Sequence, residues 1–198
     1  MITIYYGMSG ALKATTINEA PRHKEDLKIW SDIKPYWNYR KTLFPTELPG
    51  TDGDFIIQRL LQIQNMKLLA KEGILCKYNW VIERGVSDMI KCMIDNGTFD
   101  GNDENIYHII DEEYNLLNNL GYGKPKKILL VMLDKDFILD KVLNEPNRRR
   151  YYPDLETYLK RQEEYVEFTK KYNSIEKEDI IEIHDAYEYI NNLKNFIY

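Results

Sequence analysis

Lys13 stands within the run Gly7-Met-Ser-Gly-Ala-Leu-Lys-Ala-Thr-Thr16, which holds two glycines ahead of the lysine and two threonines after Ala14. The order is close to G-x-x-x-x-G-K-[ST], the spacing of a phosphate-binding loop. Glycines let successive backbone N–H groups curl around an anion, and a helix starting at the lysine adds a positive dipole end. The lysine brings a full charge to the outer phosphates. Two positions depart from the pattern. Leu12 stands where the second glycine belongs and tolerates fewer backbone angles, which predicts a reshaped loop. Ala14 stands where a Mg²⁺-binding Ser or Thr belongs, and Thr15 offers a hydroxyl one position later. The alternative is a strand followed by an ordinary glycine-containing turn.

Other residues suit the same chemistry. Glu83-Arg84 is a charged pair at the end of an apolar run, with Asp88 four residues beyond the arginine. It reads either as a site pair or as a structural ion pair. Asp32 lies just past a candidate strand end, the edge at which ligands sit in open α/β sheets. A helix N-cap or a loop acid is the plainer reading. Arg148-Arg149-Arg150 sits in a loop, as a phosphate clamp or as a solvated charge run. Trp30, Tyr36, Trp37, Tyr39 and Phe44 form an aromatic cluster that would stack on a base or pack its own loop. Gln58, Arg59 and Gln62 face either a ligand or solvent. Asp134 follows a buried strand and reads best as a cap on the next helix. His23, His108 and His184 show no partner pattern.

The elements that must position these residues alternate strand and helix. Ile2, Ile4 and Tyr6 alternate with Thr3 and Tyr5 in a first strand. A helix follows from Thr15 to about Lys24, with Pro21 expected to end or kink it early. Strands are predicted at Leu27–Trp30, Asn79–Arg84, Lys127–Leu133 and Ile180–His184. Helices are predicted at Phe55–Lys71, Met89–Asn96, Glu104–Asn119, from Phe137, at Leu155–Tyr172 and at Ala186–Ile197. The continuous apolar run Lys127-Ile-Leu-Leu-Val-Met-Leu133 suits a parallel sheet covered on both faces. The alternation predicts one α/β domain over 1–198, with a parallel sheet of about five strands and right-handed crossovers.

At 198 residues the chain is long enough for a substantial core. A net charge of −5 argues against a broad nucleic-acid or anionic membrane surface, while leaving room for a local basic pocket. Cys76 and Cys92 have no metal spacing and read as free core thiols in a reducing, cytoplasmic compartment. The N-terminal stretch reads as a strand and not a signal peptide, and no apolar run reaches the roughly 20 residues of a membrane span.

Four stretches together resemble the deoxynucleoside kinase and thymidylate kinase group of P-loop enzymes. They are Gly7–Thr16; Val81-Ile-Glu-Arg-Gly-Val-Ser-Asp88; Ile128–Asp134 with the following helix and the Arg148–Arg150 loop; and Tyr158–Phe168 with Ile180–Asp185. Their order and spacing carry the resemblance over nearly the whole chain. It implies a three-layer P-loop kinase fold, ATP and Mg²⁺ as cofactors, and a small-molecule acceptor, a deoxynucleoside or its monophosphate. It also implies a lid around 144–154 and a homodimer formed through helices. By the same resemblance Gly7, Ser9, Gly10, Ala11, Leu12, Lys13, Ala14, Thr15 and Thr16 would hold the nucleotide. Lys13 would meet the β/γ-phosphates and Thr15 another phosphate oxygen. Asp32 would serve as base or position Mg²⁺, and Glu83 would hold Mg²⁺ directly or through water. Arg84 would contact the acceptor's 5′ end, and Arg148, Arg149 and Arg150 would close over the phosphates. Trp37, Gln58, Arg84 and Asp88 would line the acceptor site. The segment after Glu83-Arg84 is one residue shorter than the usual deoxynucleoside kinase form, which bears on Asp88. A nucleotide-binding protein weakened in catalysis is the alternative that Leu12 and Ala14 motivate.

Overall fold

The computed structural model describes residues 1–23, 27–30, 68, 70–73, 77–95, 97, 99, 102–144 and 152–195. Strand β1 (Ile2–Tyr6) runs through the middle of the sheet, and all five of its residues are buried. The apolar–polar alternation therefore does not mark a wet face. Thr3 and Tyr5 are as enclosed as Ile2 and Ile4, because a central parallel strand is covered on both sides.

Among the described residues β1 is joined by β2 (Leu27–Trp30), β3 (Asn79–Glu83), β4 (Lys126–Met132) and β5 (Ile180–Ile183), in the order β2-β3-β1-β4-β5. Every pairing is parallel. The register places Tyr5 beside Glu83 and Tyr6 beside Leu129. The ends of β1 and β3 are thus level, while β4 continues past them.

The helices follow from local signals. Helix α1 (Lys13–His23) passes Pro21 and stops two residues later. A proline this near a helix end forfeits one backbone hydrogen bond with almost no helix left to disturb. Helix α2 (Val86–Asp95) starts three residues ahead of the expected Met89. Helix α3 (Asp103–Asn119) is capped by Asn102, whose side chain accepts from the Asn105 N–H. Helix α4 (Lys135–Phe137) is one short turn capped by Asp134, and it widens into a π-helical turn at Ile138–Leu143. Helix α5 (Leu155–Asn173) is capped by Asp154. Helix α6 (Ala186–Asn191) is shorter than the predicted Ala186–Ile197 and is followed by a 3-10 turn at Leu193–Asn195. Of the predicted helix Phe55–Lys71, Leu68, Ala70 and Lys71 are described and helical, and Gly73 ends it with φ 64°.

The strand order decides where the crevice lies. β1 connects to β2 on one side of it, and β3 connects to β4 on the other. Right-handed crossovers in opposite directions put their helices on opposite faces. In agreement, α1 packs on β1, β2 and β3 with the Leu193–Asn195 turn, while α2, α3 and α5 pack on one another and α5 on β4. Ligands of open α/β sheets bind at such a reversal, and here it falls at the C-terminal end of β1, where Gly7–Leu12 lies. The main core surrounds β1, β3 and β4, and a smaller cluster of Val86, Ile90, Ile106, Ile110 and Tyr172 fills the space under α2 and α3. Among the described residues no helix is long and apolar enough to cross a membrane.

Candidate functional site

The loop leaving β1 turns with positive φ at Gly10 and Leu12. Leu12 adopts φ 57°, the left-handed conformation for which a glycine would ordinarily be chosen. The leucine carries the strain of this left-handed turn, about 1–2 kcal/mol. Three contacts explain why the turn persists. The Ala11 N–H donates to the Met8 carbonyl at 3.2 Å, the Thr16 N–H donates to the Leu12 carbonyl at 2.9 Å, and Leu12 packs on the core. At Gly10, with φ 90°, a Cβ would clash with Val142 Cγ2. The π-helical turn presses Val142 against this spot, so glycine here follows from both conformation and space.

Lys13 begins α1 and is buried, with its Nζ donating to the Met8 carbonyl at 2.7 Å. The cation is thus held within the loop that the sequence assigned to an anion. Ala14 is exposed and Thr15 half-buried at the first turn of α1. Thr16 is fully buried, where its Oγ donates to the Leu12 carbonyl at 2.9 Å and meets the Tyr189 hydroxyl at 2.9 Å. Its hydroxyl braces the start of α1 from inside.

Beside this loop, at the end of β3, lies the Glu83–Asp88 turn. The Arg84 N–H donates to the Tyr5 carbonyl at 3.0 Å, extending the β1–β3 pairing by one residue. Arg84 then takes φ 69°, and its Nε stands 3.9 Å from Glu83 Oε1, with both side chains partly exposed. Gly85 follows because a Cβ there would meet the Tyr6 hydroxyl at 2.6 Å. The early start of α2 has its cause here. Asp88 Oδ2 accepts from the Gly85 N–H at 3.0 Å, and Glu113 Oε2, from α3, accepts from the Val86 N–H at 3.2 Å. Two buried carboxylates thus satisfy the N–H groups that open the helix.

Asp88 is 5% exposed, and burial raises its pKa against the pull of Arg84, Tyr165, Lys13 and the Gly85 N–H. Lys13 and Arg84 are both near enough to act on it. Glu83, Arg84 and Asp88 thus follow the end of β3, and Lys13 follows the loop at the end of the adjacent strand β1. Asp32, Trp37, Gln58, Arg148, Arg149 and Arg150 lie outside the described residues, as does most of the expected lid at 144–154.

Sequence reasoning missed the supports on α5. The Tyr158 hydroxyl donates to the Ser9 carbonyl at 2.9 Å. Gln162 bonds both ways with Met132, the last residue of β4, at 2.8 and 3.0 Å. The Tyr165 hydroxyl accepts from the Gly7 N–H at 3.1 Å and donates to Asp88 Oδ1. Burial pushes the Tyr165 phenol well above its ordinary range, so it remains a donor. Tyr158, Gln162, Tyr165, Thr169 and Tyr172 recur at helical spacing on the buried face. That polar stripe among core positions was the available signal.

Asp134 behaves as the cap it was read to be, accepting from the Phe137 and Ala186 N–H groups at 2.9 Å each. These bonds hold its carboxyl below the usual range. Asp134 also lines an open groove of about 440 Å³ with Asp136, Asp140, Asp185, His184, Phe137 and Tyr187, at the ends of β4 and β5. None of Gly7–Thr16 lines that groove. Cys92 is buried, as expected, and Cys76 lies outside the described residues. The site lies at the switch point of an α/β protein with an all-parallel sheet. No protein-family model and no curated protein sequence matches the chain.

Proposed function

We propose that the chain is a P-loop kinase that transfers the γ-phosphoryl group of ATP to a deoxynucleoside or a deoxynucleoside monophosphate. One observation carries the reading. A wound loop with its lysine and a Glu-Arg turn meet side by side at the C-terminal ends of two adjacent parallel strands, β1 and β3. Phosphoryl transfer depends on positioning and on neutralising spread negative charge, and this arrangement offers a nest, a helix end and two cations. Lys13 would turn from the Met8 carbonyl to the β- and γ-phosphates. Arg84, half exposed beside it, would meet the acceptor's 5′ end. For a nucleoside, the 5′-oxygen forms the new bond to phosphorus, the bond to the β-phosphate oxygen breaks, and ADP leaves. The hydroxyl proton goes to a carboxylate, the role the resemblance gives Asp32. Arg148, Arg149 and Arg150 are proposed to close over the phosphates on the same basis.

Among the described residues no three metal-ligating side chains cluster. Mg²⁺ commonly takes one or two carboxylates with phosphate oxygens and water, so Glu83, the partly exposed carboxylate of this turn, fits that demand. Bound there, Mg²⁺ would neutralise charge on the β- and γ-oxygens. Lys13→Met tests the loop while keeping the side chain's bulk. ADP release should fall on the order of a hundredfold or more with the melting transition retained. Wild-type turnover in that variant would remove the assignment.

A second reading rests on Ala14, whose exposed methyl stands where the pattern puts a metal-binding hydroxyl. A protein that binds nucleotide without turning it over would show affinity for ATP and no Mg²⁺-dependent ADP formation.

A further inference from the structure

Both oxygens of the Asp88 carboxylate are engaged inside the protein, one by the Gly85 N–H and the other by the Tyr165 hydroxyl. The same hydroxyl accepts from the Gly7 N–H, the first amide of the loop. A continuous buried path thus runs Gly7 N–H, Tyr165 hydroxyl, Asp88 carboxylate, Gly85 N–H. Gly7 belongs to the nest, Gly85 adjoins Arg84, and Tyr165 comes from α5, 158 residues along the chain from Gly7. We propose that Tyr165 is a positioning residue that locks the phosphate loop to the Arg84 turn, with Asp88 as its anchor and not a contact to the acceptor. The inference rests on the kinase reading for its functional consequence, and on geometry alone for the lock.

The direction of each bond supports this. A buried phenol that keeps its proton has one hydrogen to give, and the carboxylate takes it. The oxygen's remaining lone pairs face the Gly7 N–H, which fixes the plane of the peptide entering the loop. Tyr158 grips the Ser9 carbonyl from the same face of α5, two residues further along the loop. The helix therefore holds the nest by a donor and an acceptor. It holds the Arg84 turn through Asp88. The tyrosine hydroxyl thus adds a side-chain tie between loop and turn to the backbone bond from the Arg84 N–H to the Tyr5 carbonyl. Reacting groups displaced by about 1 Å lose on the order of a hundredfold in rate, so a lock of this kind acts on turnover more than on ground-state affinity.

Tyr165→Phe removes the hydroxyl and keeps the ring. In the ligand-free protein the Gly7 amide should exchange with solvent about tenfold faster, while the amides of β4 hold their rates. With Mg²⁺-ATP and an acceptor, kcat should drop about tenfold or more, with KM for ATP held within about threefold. Asp88→Asn is the second variant, and its turnover should fall with KM for the acceptor held within about threefold. Unchanged Gly7 exchange, or wild-type kcat in folded Tyr165→Phe, would overturn the proposal. A raised acceptor KM in Asp88→Asn with unchanged kcat would return Asp88 to direct contact and overturn its anchoring role. Absence of turnover in the wild type counts against the kinase reading, and the exchange arm still decides whether Tyr165 locks the loop.

Discussion

Leu12 permits a test in which the usual order of glycine and alanine reverses. Its φ of 57° is left-handed, where a side chain costs about 1–2 kcal/mol. Leu12→Ala and Leu12→Gly both remove the half-buried leucine, so both should be less stable than wild type, by on the order of 1–2 kcal/mol. They differ from each other only at Cβ. Glycine escapes the left-handed penalty but gives the unfolded chain extra freedom, worth about 0.5–1 kcal/mol. The net expectation is that Leu12→Gly exceeds Leu12→Ala by about 0.5–1 kcal/mol. At a right-handed position the order would be opposite, by a similar amount. For a chain of this length 1 kcal/mol moves the melting temperature by about 2–4 °C. Leu12→Gly should therefore melt about 1–4 °C above Leu12→Ala, with the same order of urea midpoints. If alanine equals or exceeds glycine, Leu12 is not left-handed and the wound nest is refuted. Glycine here relieves a cost without changing the loop's shape, because the leucine already adopts the turn.

Two further perturbations bear on the framework. Asp134→Ala removes acceptors from two helix starts, for a loss of about 2 kcal/mol in urea unfolding at neutral pH. The folded pKa is depressed, so this stability is present above the unfolded value near 3.8 and is lost as pH falls through the folded one; variant and wild type should converge in acid. A gap that stays constant into acid would refute the capping role. Lys127 is half-buried over the Tyr114 ring, and burial, followed by Lys124, lowers its pKa to about 8. Its charged form therefore burdens the fold fully below pH 8 and progressively less up to the unfolded value of 10.5. The stability of wild type relative to Lys127→Met should rise across that window, and thermal melts showing no change would contradict it.

How far the sequence showed the molecule varied with the range of the forces involved. β4 and the Asp134 cap were legible because their signals are local. The loop and the Glu83-Arg84 turn were visible as separate motifs, and the parallel sheet explains their meeting, since both leave strands that end side by side. The start of α2 was not recoverable from its own residues. Glu113, 27 positions away, satisfies the Val86 N–H, and a buried carboxylate from another helix leaves no mark beside Val86. Tyr165 and Tyr158 were visible in the sequence only as residues of a helix, and their rings pack in the core. Only the tertiary fold shows that their hydroxyls reach Gly7, Asp88 and Ser9.

The most direct measurement of the central claim is ADP release from Mg²⁺-ATP in the presence of each of the four deoxynucleosides and each of their four monophosphates. The account predicts acceptor-dependent ADP formation with one of the two sets, which fixes whether a hydroxyl or a phosphate is the acceptor. No ADP formation with any of the eight, in a protein that still binds ATP, would contradict the kinase and leave the nest as a nucleotide-binding site alone.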